Sequence, residues 1–338
     1  ICQSHWGRSI NVKYQDLLEE YKRLNSNLIF RYFKKFLLRK KTLIEFINSK
    51  FKNNFEKNTK EQLLSNIPKE LLSSSQKEKK ALIIVFPIIT WDFRWQRPQQ
   101  ILSRLIAQGY TVLYIAMSLS PYGKKITDID EAEDNIKFNK LAENCFQVWL
   151  KSFSNLNVYN DQIKSNNLNN ISLGLEAVLR KIKPNLIHYY VNLPGWWPVV
   201  KNLNDKYKGN IIFDCMDDHA GFSTNSIDAL KFEKDLTVNS NLVIASSKLL
   251  HMRCKKLNKK SILVKNGTDV NHFINPKKNG KLDVLDGKPI IGYFGAISDW
   301  FDLSIIEYCA RNKPDWNFVL IGSTFGSSSL NKLKLLKN

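Results

Sequence analysis

The rhythm of apolar and polar positions changes near residue 80. Up to that point no run alternates as a strand does, and proline is absent until Pro68, so the spacing predicts helix. Within "NLIFRYFKKFLLRKKTLIEFINSKF", Ile29, Phe33, Phe36, Leu37, Ile44 and Ile47 fall on one arc of about 100° at 3.6 residues per turn. Arg31, Lys34, Lys35, Arg39 and Lys41 point elsewhere, and Lys40 intrudes on the apolar arc. A basic amphipathic helix of this kind suits a membrane surface and equally suits packing on a neighbouring domain. The polar run "SSSQKEKK", residues 73–80, reads as a linker.

From residue 81 strands alternate with helices. "ALIIVFPII" is a nearly continuous apolar run, as a strand covered on both faces requires. "RPQQILSRLIAQGY" reads as a helix with Pro98 in its first turn and Gly109 closing it. The strands "TVLYIAM", "FQVWL", "NLIHYYV", "NIIFDCM", "NLVIASS" and "SILVKN" follow, with helices near 171–183, 197–207, 226–239 and from about 247. This alternation predicts an α/β fold, a doubly wound parallel sheet with helices on both faces. The hydrophilic stretch 274–288 reads as an interdomain linker. Beyond it come a strand "PIIGYFGAI", a helix "DLSIIEYCARN" and a strand "WNFVLIGS", too few to close an independent sheet. The expected organisation is therefore a helical basic segment over 1–78, a first α/β domain over 79–273, the linker, and an incomplete second domain over 289–338.

Composition narrows the class. With 338 residues, 43% hydrophobic and 12% aromatic, the chain is globular and long enough for two domains. Its five cysteines are scattered with no CxxC pair, which argues against a disulfide framework or a zinc site and fits a reducing compartment. No uninterrupted apolar run reaches the roughly 18–20 residues that span a bilayer. The net charge of +20 is uneven, half of it concentrated in residues 22–60. Such a patch attracts the phosphates of lipid or nucleic acid, or it is a solvated helical face. No recognised nucleic-acid motif accompanies it, and its aromatics follow helical spacing.

In open α/β sheets ligands bind outside the carboxyl ends of the strands, so the residues just after each strand carry the information. After the first strand come Trp91, Asp92, Phe93, Arg94, Trp95, Gln96 and Arg97; after "NLIHYYV" come Asn192, Pro194, Gly195, Trp196 and Trp197. Aromatic faces stack on sugar rings, and guanidinium forks hold phosphates or carboxylates, so this cluster reads as a binding wall; the alternative is tryptophan packed into core. "FDCMDDHAGF" offers Asp217, Asp218 and His219, able to bind metal, act as base or steady developing positive charge, or simply to cap the next helix. The acid spacing fits no strict metal site. His188, inside a strand, reads as a core histidine. "NGTDVNHF" supplies the turn pair Asn266–Gly267, and Gly292 and Gly295 flank a strand end where a phosphate could approach backbone amides.

Together "FRWQRPQQ", "FDCMDD", "LVIASS" with "VKNGTDVNHF", and "IIGYFGAISDWFD" with "WNFVLIGS" resemble, in this order, the bacterial family 4 glycosyltransferases, in the subgroup described as teichuronic-acid or capsule-type sugar transferases. The resemblance covers about residues 81–325. It implies a GT-B fold of two Rossmann-like domains and a metal-independent, retaining transfer from a nucleotide sugar to a cell-surface polysaccharide or lipid-linked acceptor. It also implies a cytoplasmic protein with no cofactor beyond the nucleotide-sugar co-substrate; residues 22–60, outside the resemblance, are expected from their charge to put it on the inner membrane face, and with no recognised motif there no nucleic-acid partner is expected. It puts Trp91, Arg94, Trp95, Gln96 and Arg97 on the acceptor side and Asp217 and Asp218 at the catalytic position; Asp92 and Trp196 join the acceptor side, and His219 the catalytic group, from their places just after the strands. Asn266, Gly267 and Gly295 fall on the donor side. One departure is plain: over residues 289–338, where the resemblance puts the donor side, Glu307 is the sole glutamate, so the family's paired-glutamate donor signature is expected beyond residue 338. The chain as given is therefore expected to be inactive unless completed, which keeps open a second reading, a non-catalytic module that binds glycan or an anionic surface.

Overall fold

The computed structural model describes residues 67–77, 81–219, 227–274, 287–297 and 301–324, together with Leu333, Leu336 and Asn338. The basic stretch 22–60 and most of the expected linker lie outside the described residues. Contacts divide the chain into two compact units at the Asp269–Val270 junction.

The larger unit begins with helix α1 (Lys69–Lys77). It continues with β1 (Leu82–Phe86), α2 (Arg97–Ala107), β2 (Thr111–Ile115), β3 (Ser120–Pro121), α3 (Ile129–Asp134), β4 (Lys137–Ala142) and β5 (Cys145–Trp149). Then come β6 (Lys151–Ser152), α4 (Ser165–Ile182), β7 (Ile187–Val191), α5 (Trp197–Lys206), β8 (Asn210–Cys215), α6 (Ile227–Asn239), β9 (Leu242–Ala245), α7 (Lys248–Leu257) and β10 (Ser261–Leu263). Eight strands form one sheet in the order β10-β9-β8-β7-β1-β2-β5-β4. Every pairing in it is parallel except β4 with β5.

The central strands show why the apolar runs were needed. All five residues of β1 and of β2 are buried. Successive strand residues face opposite sides, and the packing follows: Leu82, Ile84, Phe86, Leu113 and Ile115 enter one core, while Ile83, Val85, Val112 and Tyr114 enter the other. The first core is covered by α4, whose Ile171, Leu175, Val178, Leu179 and Ile182 are all buried. Leu102 of α2 fills the second.

Two local expectations are corrected. The polar run read as a linker from residue 73 is helical through Lys77, because Leu71, fully buried, anchors α1 and Ser73 Oγ donates to the Glu70 carbonyl at 3.2 Å. The sequence also signalled no strand at β4. Only Phe138 is fully buried there, Asn139 and Leu141 are half-buried across a register shift, and an antiparallel edge strand this exposed carries no apolar run to reveal it.

The smaller unit contains α8 (Val270–Ile274), β11 (Ile290–Phe294), α9 (Leu303–Asn312) and β12 (Asn317–Ile321). Strands β11 and β12 pair in parallel from Ile290↔Asn317 to Phe294↔Ile321. Asp302 caps α9, its carboxylate accepting from the Ser304 and Ile305 amides at 2.9 and 3.3 Å. No described helix is long and apolar enough to cross a membrane.

Candidate functional site

Strand order reverses at β1, with β2 on one side and β7 on the other. The crevice outside the carboxyl ends of β1 and β7 is thus the topological switch point, where doubly wound sheets place ligands. The Asn192 amide donates to the Phe86 carbonyl at 2.9 Å and closes the floor between the two strand ends.

The loop from β1 to α2 rises from this floor as a braced platform. Trp91 is buried and meets Tyr114 edge-on, with ring centroids 5.4 Å apart. Trp95 stands edge-on to Trp91 at 5.8 Å and is 58% exposed. Tyr114 donates its hydroxyl proton to the Ile89 carbonyl. Gln99, fully buried, donates to the Trp91 carbonyl at 2.9 Å while its Oε1 accepts from the Gln96 amide at 3.1 Å. The start of α2 and the tryptophan loop are thereby tied together. Asp92, Phe93, Arg94 and Gln96 are exposed, and the Arg94 guanidinium lies 4.8 Å over the Phe93 ring.

The residues gathered under one motif are distributed unequally. Arg97 is buried: its Nε and Nη2 donate to Asp214 at 3.0 and 2.8 Å, and its Nη1 donates to the Val264 carbonyl at 2.6 Å and to Asn266 Oδ1 at 3.2 Å. Tyr190 completes the cluster by donating to Asp214 Oδ2 at 2.6 Å. Burial pushes the Asp214 carboxyl up, while the hydrogen bonds from Arg97 pull it down. Every guanidinium proton direction used here serves the protein, so Arg97 acts as a post between the ends of β8 and β10. Trp196 is also fully buried, edge-on to Phe86 at 5.9 Å, with its indole N–H donating to the Pro87 carbonyl at 2.9 Å. It packs into the core on the opposite face of the sheet from Trp91, whereas Trp95 stands in solvent.

The acidic segment follows β8. Asp217 is exposed. Asp218 pairs with Arg253 of α7 at 2.6 Å. His219 is buried, and burial lowers its pKa against the opposing pull of Asp217 and Asp218. It lines a small cavity of about 20 Å³ with Val158, Tyr159, Leu193, Gly195 and Phe232, room for about one water. Gly195 is required here, since a Cβ would sit 2.5 Å from the Val158 carbonyl oxygen. Gly195→Ala is expected to lower stability by about 1–3 kcal/mol, seen as a lower thermal midpoint, because the obstacle is backbone that cannot swing away.

Sequence reasoning did not single out Glu233 of α6. Its carboxyl is pushed up by burial, and its Oε1 lies 3.9 Å from Cys215 Sγ at the end of β8, beside the acidic segment. Gln99, Tyr190 and Arg253 were missed likewise. Asn266 is exposed on its turn, and Gly267 has open space where a side chain would stand. Gly295 belongs to the smaller unit; its φ of +156°, which residues with a side chain rarely adopt, favours glycine at the end of β11. His188, read as a core histidine, is half-buried on β7 with Nδ1 3.4 Å from Asn210 Nδ2.

No protein-family model matches this chain, and no curated protein sequence matches it. Among solved structures it is similar to sucrose-phosphate synthase from Thermosynechococcus elongatus, with TM-score 0.56 and 14% identity over 76% of this chain and 66% of that one. The catalytic domain of starch synthase IV from Arabidopsis thaliana, bound to ADP and acarbose, aligns more loosely, with TM-score 0.45 and 14% identity over 73% of this chain and 69% of that one. The fold is therefore α/β and GT-B-like: a large doubly wound, parallel-dominated sheet followed by a smaller parallel β-α-β unit.

Proposed function

We propose that the protein is a glycosyltransferase that moves a sugar from a nucleotide-sugar donor to a cell-surface polysaccharide or lipid-linked acceptor, with retention and without a bound metal. The observation that carries this reading is the braced aromatic platform: Trp95, exposed on a buried Trp91, at the switch-point edge of a sheet that shares the fold of sucrose-phosphate synthase. An aromatic face held rigidly in solvent is suited to stacking on a pyranose ring. In this reading Phe93, Arg94 and Trp95 hold the acceptor, with Asp92 and Gln96 beside them. Trp91 braces Trp95 directly, Arg97 ties the start of α2 to the ends of β8 and β10, and Trp196 packs the strand end behind the loop. Asp217 orients the attacking hydroxyl or steadies the oxocarbenium-like charge, with Asp218 and His219 setting its surroundings. Asn266, Gly267 and Gly295 belong to the donor side. The work is done on the cytoplasmic side, at the inner membrane face.

The test, run on the protein with a complete donor half, is nucleotide release from a panel of UDP-, GDP- and ADP-activated hexoses in the presence of polysaccharide or lipid-linked acceptors. Asp217→Ala should reduce turnover by about 100-fold or more with an unchanged thermal midpoint. Near-normal turnover in that variant would remove Asp217 from the mechanism. A wild-type protein that binds glycan through Trp95 yet never turns over would replace the transferase reading by that of a binding module.

A further inference from the structure

From Leu236 to Thr268 the chain contains no Asp, Glu, Phe, Tyr or Trp, yet it carries Lys248, Arg253, Lys255, Lys256, Lys259, Lys260 and Lys265. Most of this stretch is one surface, formed by α7 and the edge strand β10. At 100° per residue Leu249, Met252 and Lys256 share the outer face of α7, opposite the buried Leu250 and Cys254. Leu249 is 65% exposed and Met252 63%. Lys248, Lys255, Lys256, Lys259 and Lys260 are exposed around them, and Ile262 and Val264 are exposed on and just after β10. Arg253 is committed to Asp218. Among the described side chains of helix α6, which packs on α7, Glu233 and Asp235 balance Lys231 and Lys234, which leaves the face positive.

We propose that this face docks onto an anionic phospholipid bilayer. Leucine and methionine tips ringed by lysines match a surface that enters the acyl boundary while its cations meet lipid phosphates. Lysines beside an edge strand also discourage strand-to-strand pairing. That role accounts for Lys259, Lys260 and Lys265, and it leaves two large apolar side chains on the outside of a helix unexplained. The absence of aromatics removes the stacking platform that single-stranded nucleic acid uses. A second copy of the same face would set lysine against lysine. The inference stands on this face alone; it needs neither the transfer reaction nor the basic stretch 22–60.

The experiment is co-sedimentation of the full chain with vesicles of phosphatidylcholine alone or with one third phosphatidylglycerol. Binding is expected to the mixed vesicles only and to weaken as salt rises. Leu249→Ser with Met252→Ser, and separately Lys255→Glu with Lys256→Glu, should each lower binding about tenfold or more, since each lysine near an anionic leaflet strengthens it roughly fivefold. Lys137→Glu with Lys201→Glu, on exposed positions elsewhere, should leave it unchanged. The positions altered in α7 are all solvent-exposed, so melting curves should superpose. The proposal fails if the wild type binds no vesicle, or if both α7 variants bind like the wild type. It also fails if the charge reversal abolishes binding to a short DNA duplex while the apolar variant binds vesicles normally. A change of oligomeric state in the apolar variant, measured by sedimentation velocity, would assign the face to self-association instead.

Discussion

Arg97→Ala is expected to destabilise the larger unit by about 3–5 kcal/mol, because it strands the Asp214 carboxylate in a fully buried place with only the Tyr190 hydroxyl left to meet it. Equilibrium denaturation by urea reads this directly. The loss is a penalty for leaving a charge unpaired, so replacing both members should be far milder: Arg97→Met with Asp214→Leu is expected to recover most of the stability. If the single and double variants were equally destabilised, the buried pair would not be the cause. Arg97→Lys separates charge from geometry. Lysine keeps the positive charge but loses the fork that reaches Asp214, Val264 and Asn266 together, so hydrogen exchange should rise at residues 264–266 before it rises in β1.

The second large effect distinguishes two tryptophans that look alike in the sequence. Trp196→Ala is expected to destabilise by about 3–5 kcal/mol, since it removes a fully buried indole and leaves the Pro87 carbonyl without its donor. Trp95→Ala should change stability by about 1 kcal/mol or less, the worth of its edge contact with Trp91, while removing the exposed ring from the platform. Thermal melts of the two variants side by side decide the matter. Equal losses would mean that Trp95 is part of the core and would remove the support for the acceptor reading.

That contrast also marks how far the sequence could be read. The strands β1, β2, β7 and β8 were legible because burial on both faces forces unbroken apolar runs, and the ends of those runs pointed to the loops that surround the switch point. Whether an individual loop residue faces solvent or protein was not legible. Trp95 and Trp196 each follow a strand, and only the packing of Phe86 and Pro87 sends one indole inward. Arg97 and Arg94 are three positions apart, and what separates them is a carboxylate 117 residues further along the chain. Glu233 was hidden for the same reason, since its neighbour Cys215 lies on another element and ordinary helical spacing gives no hint of the contact. Signals of element type are local, whereas partners at a strand end are set by topology.

The post formed by Arg97 and Asp214 has a consequence for how sequences of this fold can drift. Either residue changed alone is expected to cost about 3–5 kcal/mol, while the two changed together can leave a sound core. The route from one solution to the other therefore crosses a destabilised intermediate, and a lineage that has settled on this pair is held to it whatever ligand selection later favours. The exposed positions between Asp92 and Gln96 are under no such restraint, so specificity can diverge on the platform while the post beneath it stays fixed.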